Sequence, residues 1–179
     1  MKRLLILTLI TFVAVLQSCD ERITPAQTKL VEVKPPTKTE ILTANVWQYN
    51  EFTIKGGSAT KVVFSKIANP PIQLSSDYGK TSIIYKSDGS FEKNVSGSIE
   101  KRTWKFLNNE TQIETTSADG KLKILYNVDL LTKDNLNLTN IATKVAYNDD
   151  AFWIGFVTNL GFSNTITEFS NIEKLIPLK

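Results

Sequence analysis

The only thiol in the chain is Cys19, and there is no histidine at all. Without imidazole, Ser-His-Asp and Cys-His mechanisms, His-ligated zinc or iron sites, and the usual pH switch near neutrality are all removed. Carboxylates are the remaining candidates for acid–base or metal chemistry: Asp149-Asp150, Asp129 with Asp134, and Asp88. None has the spacing of a calcium loop. Asp88 precedes Gly89 between two strand-like runs, so turn formation is reason enough for it. Distant carboxylates can meet in a fold and hydrolyse glycosides, but no spacing here argues for such a pair. The reading is a non-enzyme with no cofactor and no metal site. Two residues stay open to chemistry: Cys19, whose sulfur can be modified, and Arg102, whose cation falls on an otherwise apolar strand face.

Cys19 sits where an apolar run stops. Lys2 and Arg3 precede Leu4 to Leu16, 13 residues interrupted only by Thr8 and Thr11. A bilayer-spanning helix needs about 20 residues, whereas a basic start and a short apolar run describe a secretory leader. Leu16-Gln17-Ser18-Cys19 resembles the lipobox of bacterial lipoproteins. That resemblance implies cleavage before Cys19, acylation of its sulfur and new amino group with chains such as palmitate, and a membrane tether. Two or more acyl chains give a durable anchor where one is marginal. It also implies placement in the bacterial cell envelope, at the outer membrane, facing the periplasm or the surface. Asp20 and Glu21 are a weak form of the acidic sorting signal seen in some lipoproteins of this kind.

The domains expected are a signal peptide at 1–18, a lipidated N-terminus and flexible linker at 19–38, and one β domain at 39–179. Removing 18 residues from 179 leaves 161, enough for a single domain with a real core. The leader takes two basic side chains and no acid, so 19 basic residues face 18 acidic ones, a net charge of +1. Such a neutral chain has no electrostatic footprint for nucleic acid. Pro25, Pro35 and Pro36, with many Lys and Thr, make the linker extended and solvated.

From Thr39 the pattern predicts a helical turn capped by Thr39, then strands at 46–54 and 61–67. An irregular loop at 69–79 contains Pro70 and Pro71. Hairpins follow at 81–86/91–95 across Asp88-Gly89, at 101–107/111–116 across Asn108-Asn109-Glu110, and at 121–131/135–141 across Thr132-Lys133-Asp134. Residues 141–147 continue as strand. Ala151 to Leu160 reads as a short helix with Asp149 or Asp150 at its start and Gly161 at its end, a strand being the alternative. Two strands, 165–169 and 174–178, close the chain.

Strands with turns every 8–12 residues indicate an all-β barrel or sandwich. Trp47, the hairpin Ile83 to Phe91, Gly97, Trp104, and Tyr126 to Thr132 with Leu136 and Leu138 together resemble the lipocalin-like lipoprotein domains of Gram-negative bacteria. The resemblance implies an up-and-down antiparallel barrel of about eight strands, with a filled interior or room for one small ligand. The alternative is a β-sandwich. Asn45 stands where the Gly-x-Trp of true lipocalins has glycine. Period-two alternation puts Leu122, Ile124, Tyr126, Val128, Leu136 and Leu138 on inward faces, and Arg102 with Trp104 and Phe106. The candidate ligand site is therefore Arg102, Trp104, Phe106, Ile124, Tyr126, Leu136 and Leu138. There Arg102 either meets a ligand carboxylate or lies at the rim, stacked on Trp104 with a solvated tip.

Two functions compete. One is a lipid-anchored barrel binding a small apolar ligand. The other is a non-enzymatic interaction or structural lipoprotein with a filled core, working through its surface on an unidentified protein partner. The segment 152–162, with Phe152, Trp153, Ile154 and Phe156, must be buried or must cover something.

Overall fold

The computed structural model describes residues 34–68, 76–147 and 149–179. The expected leader, Cys19, most of the linker, the prolines of the 69–75 stretch and Asn148 lie outside the described residues.

The first element is helix α1 (Lys38–Thr43). Its cap is Thr37, two residues earlier than the sequence suggests. The Thr37 hydroxyl accepts from the Glu40 amide at 3.1 Å, and the Glu40 carboxylate accepts from the Thr37 amide at 2.6 Å. This reciprocal pair satisfies two helix-start amides at once, which fixes the start at Lys38. Leu42 points into the core, and its carbonyl accepts a 2.9 Å hydrogen bond from the indole of Trp47.

Nine strands follow: β1 (Val46–Gly56), β2 (Ala59–Ser65), β3 (Thr81–Tyr85), β4 (Ser90–Val95), β5 (Ser98–Leu107), β6 (Gln112–Ser117), β7 (Lys123–Leu131), β8 (Leu136–Thr143) and β9 (Glu168–Pro177). All pairings are antiparallel, and β1 closes onto β9 from Trp47–Pro177 to Lys55–Ser170. The result is an all-β, closed, up-and-down barrel of eight strands, β1 and β3 to β9. β2 is extra: β3 takes Val46–Gln48 of β1, and β2 takes Glu51–Gly56. Closure removes the exposed sheet edges that a sandwich would keep.

The hairpins fall where the turn chemistry puts them. Asp88 Oδ1 accepts from the Ser90 amide at 2.8 Å and from its hydroxyl at 2.7 Å, and Gly89 has φ +82°. The β5–β6 turn is less expected. Asn108, Asn109 and Glu110 all have positive φ, at 50°, 55° and 60°. Asparagine tolerates that region better than glutamate does. The turn is held by Thr111 Oγ1 donating to the Asn108 carbonyl at 2.7 Å, and by Lys38 Nζ donating to the Glu110 carbonyl at 2.9 Å.

Two sequence expectations are corrected at the C-terminal end. The strand predicted through Tyr147 stops at Thr143, and Lys144–Tyr147 is a helical turn, α2. The reason is pairing: the β8–β9 ladder ends at Thr143–Glu168, and after one more backbone hydrogen bond, from the Lys144 amide to the Thr167 carbonyl at 2.8 Å, the chain turns into the helix. The two predicted closing strands, 165–169 and 174–178, are replaced by one continuous strand, β9, which starts only at Glu168, and the polar residues between them keep the inward alternation. The helix α3 (Asp150–Asn159) is as expected, with Asp149 accepting from the Phe152 amide at 2.9 Å and Gly161 at φ +71° after its end. Trp153 stacks on Phe169, the first inward residue of β9, at 5.0 Å, and its indole donates to the Ile166 carbonyl at 2.7 Å. Val157 and Leu160 are buried beside it. The same helix leaves Phe152 53 % exposed, so its apolar residues lie on both faces.

Candidate functional site

The inward faces divide the barrel interior into two zones. At the end closed by α1 the space is filled. Trp47, Tyr49, Tyr85, Ile113, Leu136, Leu138 and Leu175 are buried there. Tyr85 meets Phe91 at 5.1 Å and Trp104 at 5.5 Å, and Trp104 meets Phe106 at 5.5 Å, all edge-to-face. Such contacts fix each ring by its neighbours. The Trp104 indole is also satisfied, donating to the Lys86 carbonyl at 2.9 Å. Of the candidate ligand residues, Trp104, Leu136 and Leu138 are thus parts of this packed wall, with Phe106 partly buried against it. Leu122 precedes β7 and is exposed, so the inward position expected for it is not taken.

The second zone is polar. Arg102, on β5, is inward as the alternation requires, opposite Ser117 at the end of β6, but its tip is not solvated. Its side chain is only 8 % exposed. Nε donates to Glu100 Oε1 at 2.7 Å, and Nη2 donates to the same oxygen. Nη1 is buried with no hydrogen-bond partner. Cation–ring contacts are made by Lys93 over Tyr49 at 5.4 Å and Lys61 over Phe162. Tyr126, on β7, lies within electrostatic reach of Arg102, and burial holds its hydroxyl well above the ordinary phenol range.

Beside this arc runs a network that the sequence did not reveal. Lys93 Nζ donates to the Tyr49 hydroxyl at 3.1 Å, and that hydroxyl donates to the Glu173 carboxylate. Glu173 is buried on β9, between Phe52 of β1 and Leu138 of β8. Burial raises its pKa, and Lys93 and the Tyr49 hydrogen bond pull it back. Burial and the nearby Glu173 raise Tyr49 and Tyr85, so both stay neutral. Lys93 was findable, since it shares the inward parity of Phe91 and Val95. Glu173 fell in the polar interval between two predicted strands.

The barrel wall opens at one place. The β7–β8 ladder ends at Asn127–Thr139. Beyond it, residues 123–126 pair only with β6 and residues 140–143 only with β9. The gap is an open recess of about 700 Å³ lined by Leu122, Ile124, Leu125, Asn140 and Ile141 among others. Tyr126 and Asn140 are the first inward residues on either side of the parting. Asn140 Oδ1 is buried there without a partner, the second such atom besides Arg102 Nη1 among the described residues. Ile124 and Asn140 line the recess, whereas Tyr126, opposite Ile113, packs against the core cluster that includes Leu136 and Leu138, and Arg102 lies on β5, two strands from β7.

Among the described residues no three His, Cys, Asp or Glu side chains gather closely enough to hold a metal ion, and no helix is long and apolar enough to cross a membrane. No protein-family model matches the chain, and no curated protein matches it in sequence. The class is thus defined by the fold alone: a closed eight-stranded antiparallel barrel, compatible with a lipocalin-like ligand-binding architecture.

Proposed function

We propose that this protein is a lipid-anchored envelope lipoprotein whose lipocalin-like barrel binds a small, largely apolar ligand. One observation carries the binding half: a buried guanidinium with an unpaired nitrogen lies on an inward face of the barrel. Buried polar groups without partners are rare in native structures and call for a reason. A ligand oxygen is one. The tether rests on Leu16 to Cys19 and on the short apolar run before them.

The competing reading, a filled barrel acting through its surface, draws on the aromatic packing at the α1 end and on exposed Phe152 of α3. Native mass spectrometry separates the two. Protein extracted from its own envelope and then denatured is expected to lose a discrete small-molecule mass. A bare acylated polypeptide before and after denaturation selects the filled barrel. The tether has its own test. Cys19→Ser is expected to abolish labelling by radioactive palmitate and to move the protein out of the membrane fraction. Unchanged labelling would refute acylation at this position.

A further inference from the structure

We infer that the parted edges of β7 and β8 are a docking site for an extended strand of another protein, one whose side chains alternate between apolar and acidic. This goes beyond the ligand-binding reading and does not depend on what fills the barrel. Three observations point to it together.

The first is the direction of the backbone groups. The Ser117 amide donates to the Leu122 carbonyl at 2.9 Å, and the Val128 amide donates to the Thr111 carbonyl at 2.8 Å. Even-numbered residues of β7 thus direct their backbone groups to β6. Antiparallel alternation turns those of Lys123 and Leu125 the other way, past the end of the β7–β8 ladder at Asn127–Thr139. The same holds on β8. The Lys144 amide donates to the Thr167 carbonyl at 2.8 Å, so even-numbered residues face β9, and Ile141 turns its backbone groups into the recess. Among the described residues no strand pairs with either edge there. An unpaired edge is a template for one more strand.

The second is the side chains beside these edges. Leu125 is 46 % exposed and Ile141 59 %, on facing sides of the recess. A strand entering between them places its own apolar side chains against both. On the recess wall Asn140 Oδ1 is buried without a partner, an acceptor left for an entering donor.

The third is charge. Lys123 at the start of β7 and Lys121 just before it are exposed, and neither is in an ion pair among the described residues. The carboxylates of β6 and of the β6–β7 turn are engaged elsewhere. Glu114 meets Lys105 at 3.2 Å, and Asp119 accepts from the Ser117 hydroxyl and the Lys121 amide. The unmatched lysines select the occupant. Two copies of this chain joined through β7 would set the lysines of one against those of the other, and edge lysines are a common guard against such pairing. An acidic strand turns the same lysines into cross-strand ion pairs.

The test uses the full chain in detergent micelles and a short peptide of alternating glutamate and valine, blocked at both ends. Hydrogen exchange is read residue by residue by mass spectrometry. Without peptide, the amides of Lys123, Leu125 and Ile141 are expected to exchange faster than those of Ile124, Tyr126 and Ala142, which face β6 or β9. At a concentration ten times its Kd, the peptide should slow the Lys123 and Leu125 amides about tenfold, the factor that occupancy alone gives. The same peptide N-methylated along its pairing edge keeps its side chains and charge and should not bind. A lysine–valine peptide should bind roughly two- to thirty-fold more weakly than the glutamate one. Lys121→Glu with Lys123→Glu, both at exposed positions, should reverse that order. No slowing of these amides at about 1 mM glutamate peptide overturns the docking site. Equal binding by the N-methylated peptide overturns strand pairing, and equal binding by the two charges overturns the acidic partner. Edge amides that are already slow in the free protein mean a filled edge, and slowing that grows with protein concentration means a second copy; either result overturns the proposal.

Discussion

Replacing Trp47 by alanine lowers the free energy of unfolding by about 3–5 kcal/mol. Trp47 is fully buried at the start of β1, where it is paired with Ile83 on β3 and with Pro177 on β9. It therefore sits at the seam where the barrel closes. Its indole donates to the Leu42 carbonyl in the last turn of α1, where carbonyls have no helical partner. The substitution leaves a cavity in a wall that cannot collapse, because strands on both sides hold their register. It also orphans the Leu42 carbonyl, which adds about 1–3 kcal/mol if water cannot reach it. Against a typical domain stability of about 5–15 kcal/mol, that is a large share. Denaturant unfolding of the full chain measures it, with a lowered midpoint and an unchanged slope. Trp47→Phe separates the two causes, keeping most of the volume and losing the hydrogen bond. A loss below about 1.5 kcal/mol for the alanine variant would place it among ordinary substitutions and deny α1 its role as a barrel closure.

The parts of this fold that were legible in the sequence are those set by neighbours in the chain. Asp88-Gly89 announces its hairpin because the turn needs a positive φ, which Gly89 takes at +82°. Asp149 and Gly161 bracket α3 by capping chemistry alone. The inward set Trp104, Phe106, Ile124 and Tyr126 follows from alternation on strands whose outward residues, Leu107 and Leu125 apart, are polar. What alternation could not supply is the pairing between distant strands. The closure of β1 on β9, and the place where β7 leaves β8, are properties of the whole barrel, and no local pattern encodes them. Polar residues inside were hidden for a related reason. Asn171 and Glu173 read as a break between strands because a strand was expected to turn only apolar side chains inward. The interior Tyr49 and Lys93 make such a carboxylate tolerable, but they lie 124 and 80 residues away in sequence. Arg102 was visible as an inward cation. That it has one nitrogen unmatched depends on Glu100, which precedes the predicted start of that strand.

Lys93→Met makes the stability of the protein strongly dependent on pH. The folded-state pKa of Glu173 lies above the unfolded value of about 4.3, because burial outweighs Lys93 and the Tyr49 hydrogen bond. The native state thus binds that proton more tightly than the unfolded chain. Its contribution is complete below about pH 4 and is lost as pH rises through the raised pKa. In the wild type, Lys93 limits the rise. Methionine keeps the length of the side chain and removes the charge, so the pKa climbs further and the loss extends toward neutrality. The variant should unfold near the wild-type midpoint at about pH 4.5 and be about 3 kcal/mol less stable at about pH 8. That is the low end for breaking a buried pair, since Lys93 is only half-buried. The other inward groups do not blur the window. Tyr49, Tyr85 and Tyr126 are held above the ordinary phenol range and stay neutral. Asp88, Glu92 and Asp119 are held below the usual carboxylate range by their hydrogen bonds, so their effect falls at lower pH, with the opposite sign, and equally in both proteins. Adding Glu173→Gln to Lys93→Met should flatten the profile and restore most of the loss, because the amide still accepts from the Tyr49 hydroxyl. The double-mutant cycle then gives the coupling directly. If Lys93→Met costs the same at both pH values, its role is packing over the Tyr49 ring, and the charge on Glu173 is balanced from elsewhere.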